Sequence, residues 1–305
     1  MTKIKHIHCF GTSHTAGGGF EFDGSDLERS NLIKKLYSSV DTPLTQYNFS
    51  YPGQLQKFIG NDIKVHNHAK QGYGNDRMYR ILHKITNEWN FDSDEHLLLL
   101  EFTGLGRREE FFNKIQNYIT INWQHSIDSD GNLTNKGAHL LGVASSYHYD
   151  SQNFLDIIKD MDTISFFEKY VENFINLEDE SSFVLRNMEF FISYLDKLNL
   201  KYYYTSPPVI SDEDIFNTKK NEIIFGDGFY FKENTNMLEF ATENDLIINI
   251  ETNDKYDDDH NSFKSNKLCA HIIYNKLILD GIIKKELNPI DWKWYKEKNY
   301  VTSII

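Results

Sequence analysis

Cysteine is nearly missing from this chain, with two residues, Cys9 and Cys269, in 305. So few exclude a disulfide framework and a thiolate metal cluster, since neither has a second cysteine or a spaced histidine pair beside it. Both are expected to be buried, reduced thiols, one in the first strand and one in the last helical stretch. Basic charge is also scarce: 32 Lys and Arg stand against 45 Asp and Glu, a net charge of −13. That balance opposes a phosphate-backbone partner or an anionic membrane surface, so no nucleic acid is expected. Long apolar runs are lacking as well. The strongest, residues 97–100 with their neighbours, is far too short to cross a bilayer. Met1-Thr2-Lys3 runs straight into Ile4 with no apolar leader stretch, so cytoplasmic synthesis is the expectation. Nothing in the pattern calls for a metal or a cofactor, and the oligomeric state is left open.

What is present suits a large α/β domain. Hydrophobic residues make up 40% of the chain, with 22 Phe and 18 Tyr, enough for a sizeable core. Strand and helix signals alternate, which favours a mostly parallel sheet with helices on its faces. Strands are expected over residues 4–10, 62–68, 97–102, 201–205 and 246–250. Helices are expected over 26–37, 76–89, 154–177, 183–198 and 264–279. Residues 119–149 read differently, as a hairpin or flap beside the sheet. The expectation is one domain, 1–305, with an insertion at about 110–150.

Chemistry concentrates in the turns after strands. Gly11-Thr12-Ser13-His14-Thr15-Ala16-Gly17 follows the first strand directly. A serine among small residues at such a point can expose its hydroxyl beside a free main-chain N–H, as acyl transfer requires. Near the other end, Asp257-Asp258-Asp259-His260 offers an imidazole base with a carboxylate close by. Between them lie His68-Ala69-Lys70-Gln71-Gly72-Tyr73-Gly74-Asn75, followed by Arg77, Met78 and Arg80, and then Glu101-Phe102-Thr103-Gly104. His6 and His8 alternate with Ile7 and so share one face of the first strand.

In this order the motifs resemble those of the SGNH (GDSL-type) hydrolase superfamily. Gly11-Thr12-Ser13 matches the nucleophile turn, with Thr12 where Asp is usual, and Gly72 matches the glycine of the second block. Asp257 and His260 match the closing Asp-x-x-His, with Asn261 where Pro is usual and with Ser265 and Asn266 where Gly and His are common. The third block departs: Thr103 stands where the family has an oxyanion-binding Asn. A phage and marine variant is similar here, with Thr or Ser at that site and an Arg soon after, here Arg107 or Arg108. Residues 110–200 carry no matched motif.

The resemblance implies a flavodoxin-like three-layer α/β/α sandwich with a central parallel sheet. It also implies a serine esterase acting on a small-molecule or carbohydrate ester. Ser13 would be the nucleophile, His260 the base and Asp257 the orienting acid, with Asp258 as the alternative. The oxyanion hole would use the N–H groups of Ser13 and Gly72 and the hydroxyl of Thr103. His14, Asn75 and Arg107 are candidate substrate-binding positions, although Asn75 equally suits a helix cap. Trp123, Tyr147, His148 and Tyr149 suit either sugar stacking or packing. The missing third-block Asn motivates the competing class, a non-catalytic structural or carbohydrate-binding module, with a phage virion as its alternative location.

Overall fold

Strand β1 (His6–Phe10) sends alternate side chains to two faces, and each face has its own helices. In this computed structural model the described residues are 3–17, 48, 50–70, 74–88, 93–102, 106–113, 117–127, 129, 133–145, 161–206, 247–249, 257–261, 263–291 and 293–294. The chain continues through α1 (Ser13–Ala16), α2 (Tyr51–Ile59), β2 (Lys64–Asn67), α3 (Asn75–Glu88) and β3 (His96–Glu101). Next come β4 (Arg107–Phe112), β5 (Asn117–Ile127), β6 (Leu133–Ser145), α4 (Met161–Phe174), α5 (Leu177–Lys197) and β7 (Lys201–Ser206). Finally β8 (Ile247–Asn249) and β9 (Asp257–Asn261) precede α6 (Phe263–Leu279).

The central sheet is parallel, with strand order β2-β1-β3-β7. Its middle strand β3 is buried along its whole length, and Leu97 to Leu100 are fully enclosed. A continuous apolar run is what a parallel strand covered on both faces needs. On one face Ile7, Cys9, Val65, Leu97, Leu99 and Tyr203 pack against α2 through Tyr51, Leu55 and Ile59, and against α6 through Cys269, Ile273 and Leu277. On the other, Phe10, Leu98 and Leu100 meet Met78, Leu82 and Ile85 of α3 and Met188, Phe191 and Leu195 of α5. The α3 residues recur at the three- and four-residue spacing of a single helix face. A four-stranded parallel sheet with helices on both faces is compatible with a three-layer α/β sandwich.

The path from β1 leads to β2 on one side and then returns past β1 to β3 on the other. The order therefore reverses between β1 and β3, and open α/β sheets bind ligands outside the carboxyl ends of strands at such a reversal. The turn containing Ser13 leaves the carboxyl end of β1, and residues 103–105 follow β3.

A second sheet, antiparallel with order β4-β5-β6, occupies residues 107–145. Ile119, Ile121, Trp123 and Ala138 pack against Phe167, Val171 and Ile175. Buried Glu180 of α5 fastens it, accepting hydrogen bonds from Gly106 N (2.6 Å), Trp123 Nε1 (2.9 Å) and His125 Nε2 (2.6 Å). Gly106 has φ 90°, and a Cβ there would collide with the Trp123 carbonyl oxygen, so the position needs glycine. The same sheet is tied to α3: Arg80 reaches Glu109 through two bonds of 2.7 and 2.8 Å, and the Glu109 N–H donates to Asp76.

Several expectations shift. The flap is a three-stranded sheet that starts at Arg107, and α5 begins at Leu177 rather than at 183. The strand expected at 246–250 is found at Ile247–Asn249, but it pairs antiparallel with β9 and does not join the parallel sheet. Among the described residues that sheet has four strands where about five were expected. The helix expected at 26–37 lies outside the described residues. Both cysteines are buried and unpaired with each other. Among the described residues, no helix is long and apolar enough to cross a membrane.

Candidate active site

Ser13 is the first residue of α1, with Thr12 just before it; the Thr12 carbonyl accepts from Ala16 N at 2.9 Å, closing the single turn. The turn is held from β3. The buried Glu101 carboxyl accepts from Thr12 Oγ1 at 3.2 Å and from the Thr15 N–H at 3.1 Å, and it also bonds Thr15 Oγ1. These partners flank Ser13 on both sides. Gly11 is needed for the close approach, because a Cβ there would collide with Glu101 Oε2 and Thr15 Oγ1. Burial raises the pKa of Glu101, opposed by the hydrogen bonds from Thr15 and Thr12.

The carboxyl end of β2 joins the same corner. His68 N donates to the Cys9 carbonyl at 2.8 Å, and Asn67 Nδ2 donates to the Thr15 carbonyl at 3.1 Å. Arg77 Nη1 reaches the His68 carbonyl at 2.6 Å, so α3 holds the start of the segment that contains Gly72. Gly74 packs on Arg107, since a Cβ on Gly74 would lie 3.0 Å from Arg107 Cβ and 3.1 Å from its carbonyl oxygen. Asn75 is buried as the first residue of α3, and Arg107 opens β4 half-buried.

Asp257 and His260 lie on β9, a short strand outside the strand ranges the sequence predicts, and β9 runs beside α1 with Cα atoms within 8 Å. The pairing is irregular there: Asp257 opposes Asn249, Asp258 opposes Ile248, and the next pair is Asn261 with Ile247. Asp259 and His260 thus fall in a bulge. Just beyond, α6 is anchored where Asn266 Oδ1 accepts from Tyr51 N at 3.0 Å.

At backbone level the structure therefore brings the Ser13 turn, the end of β2, the end of β3 and the Asp257–His260 strand to one edge. Gly72, Thr103, Tyr147, His148 and Tyr149 lie outside the described residues, as do the side chains of Ser13, His14, Asp257 and His260. Trp123 resolves to packing, buried with its indole N–H on Glu180. Arg108 bonds the Tyr170 hydroxyl at 3.1 Å and lies over the Phe183 ring.

Two features escaped the sequence reading. Glu101 was legible only as a charge closing a run of four leucines. The second is a histidine array on the α3 side of the sheet, where His8 Nδ1 lies 2.9 Å from His68 Nε2 and His8 Nε2 lies 2.9 Å from His96 Nδ1. A parallel contact joins His6 Nδ1 and His66 Nε2 at 3.1 Å. The two His-x-His spacings, 6/8 and 66/68, are its sequence signal, but adjacency depends on strand register. Among the described residues, no group of three or more His, Cys, Asp or Glu is arranged to hold a metal ion. Compared with known proteins, the chain matches no family model, no curated protein and no solved structure.

Proposed function

We propose that this chain is a serine ester hydrolase of the SGNH (GDSL-type) kind, on a flavodoxin-like three-layer sandwich. The observation that carries the reading is the placement of α1 beside β9, which supports a meeting of the helix that begins at Ser13 with the strand that holds Asp257 and His260. Further support comes from the strand order, whose reversal lies between β1 and β3, the strands that precede Ser13 and Thr103.

In this reading Ser13 Oγ attacks the ester carbonyl while His260 takes its proton, with Asp257 orienting the imidazole. The oxyanion is met by the N–H groups of Ser13 and Gly72 and by the Thr103 hydroxyl. His260 then protonates the departing alkoxide, and water activated by the same imidazole releases the acid from Ser13. Acetyl esters on carbohydrate are the favoured substrate class. A fluorophosphonate probe should label Ser13 in the wild type, and p-nitrophenyl acetate hydrolysis should disappear in Ser13→Ala. Equal rates for the two proteins would overturn the reading, and absence of labelling would favour the non-catalytic module.

A further inference from the structure

Among the buried ionisable groups that the mechanism above leaves unused, Glu101 bonds the turn that holds Ser13. Glu101 is 5% exposed, sits at the carboxyl end of β3, and spends its hydrogen bonds on the residues either side of Ser13. The β3–β7 register shifts between Leu100 and Glu101, so the ladder is irregular where this side chain leaves the strand. The groups around it are neutral: burial pushes the phenol of Tyr51 and the thiols of Cys9 and Cys269 well above their ordinary ranges.

We propose that Glu101 is a positioning residue, its buried carboxyl group fixing the main-chain turn that presents Ser13. The proposal rests on Ser13 being the nucleophile. A four-residue helix has few internal hydrogen bonds with which to hold its own shape. Here the N–H of Thr15, which has no partner within so short a helix, is satisfied by Glu101 from the neighbouring strand. The Thr12 hydroxyl is drawn to the other carboxyl oxygen, so the two oxygens bracket the turn. Gly11 leaves no side chain between the carboxyl group and the backbone. A displacement of about 1 Å in a reacting group can cost on the order of a hundredfold in rate, so a rigid clamp on this turn matters to chemistry as well as to folding.

The test compares wild type with Glu101→Gln, Glu101→Leu and Thr15→Val in two measurements. One is the rate of fluorophosphonate labelling at Ser13, with kcat and KM for p-nitrophenyl acetate. The other is amide hydrogen exchange of residues 11–17 against residues 96–100 of β3. Glu101→Leu should exchange at least tenfold faster in 11–17 alone, and label about a hundredfold more slowly with KM nearly unchanged. Glu101→Gln keeps an acceptor for the Thr15 N–H and should restore both to within a few-fold. If Glu101→Leu does not fold, Thr15→Val, which exchanges the hydroxyl for a methyl group and keeps the main-chain N–H, should show the same pattern more weakly. Wild-type exchange in 11–17 in Glu101→Leu and Thr15→Val would overturn the proposal, and so would faster exchange spread equally over β3. A wild type that never labels ends the nucleophile reading, and the exchange measurement then decides Glu101's hold on the turn by itself.

Discussion

The imidazole of His8 lies between those of His68 and His96, 2.9 Å from a ring nitrogen of each. A neutral imidazole has one donor and one acceptor, so neutral His8 can donate to one neighbour and accept from the other, and burial favours this neutral form. Other charges nearby reinforce this: His66 and His6 stand beside His8, Arg77 acts on His68, and Lys64 and Lys5 on His6, with only Glu95 acting the other way. Burial is the main cause, and it pushes His8 down to about 2 and His68 to about 3.

Stability should therefore fall in acid. The folded pKa values lie below the unfolded value of about 6.5, so the unfolded chain takes up protons first as pH drops. The contribution is complete above about pH 6.5. It is lost progressively toward pH 3, at up to about 1.4 kcal/mol per pH unit for each of His8 and His68. Urea unfolding at pH 7.5, 6.0 and 5.0 should show that decline, and His8→Leu should make it shallower. An unfolding free energy that stays level from pH 7.5 to 5.0 would contradict the array.

How far the sequence could be read follows from what each element depends on. The leucine run of β3 announces a strand buried on both faces because burial there is a property of consecutive residues. β4 does not announce itself: Arg107-Arg108-Glu109-Glu110 is charged, and its pairing with β5 is steadied by the Arg80–Glu109 contact from another element. α5 starts early because Asn176 Oδ1 caps it, accepting from Asp179 N at 2.9 Å, with acidic residues in its first turn. β9 does not announce itself either, because Asp has low strand propensity, and its partner β8 is what holds it extended. The motifs of the proposed site stand in the sequence only as an order along the chain. The Glu101 clamp and the histidine array were not legible there, since both depend on which strands become neighbours.

Glu180 should prove a large contributor to stability. Replacing it with Leu leaves the Gly106 N–H and the Trp123 indole N–H buried without their acceptor, at roughly 1–3 kcal/mol each. A loss of about 3 kcal/mol or more by urea unfolding is expected, with Trp123 fluorescence changing as its surroundings loosen. A Glu180→Leu protein as stable as wild type would show that the antiparallel sheet is held by apolar packing alone.

Both thiols should be inert in the native protein. Cys9 and Cys269 are buried, and burial raises the pKa of each, so neither presents a thiolate. Ellman's reagent at pH 8 should react with neither until guanidinium is added, and then with both. Rapid reaction before unfolding would place one of them at an accessible surface.

The acid of the proposed triad can be separated from its neighbour through β9. Asp257 and Asp258 both hold ladder positions, while Asp259 and His260 stand in the bulge, and bulges re-aim side chains beside active sites. Asp257→Asn should lower kcat for p-nitrophenyl acetate by two to four orders of magnitude with KM little changed, on the order of other triads that lose this carboxylate. Asp258→Asn should stay within a few-fold of wild type, and the reverse ranking would assign the acid to Asp258. In the wild type, kcat/KM should rise through about pH 6–7 as His260 loses its proton. Circular dichroism recorded across the same pH range distinguishes that titration from acid loosening of the histidine array, because only loosening changes the signal of the fold. A flat profile from pH 5 to 8, with chemistry rate-limiting, would remove His260 from the role of base.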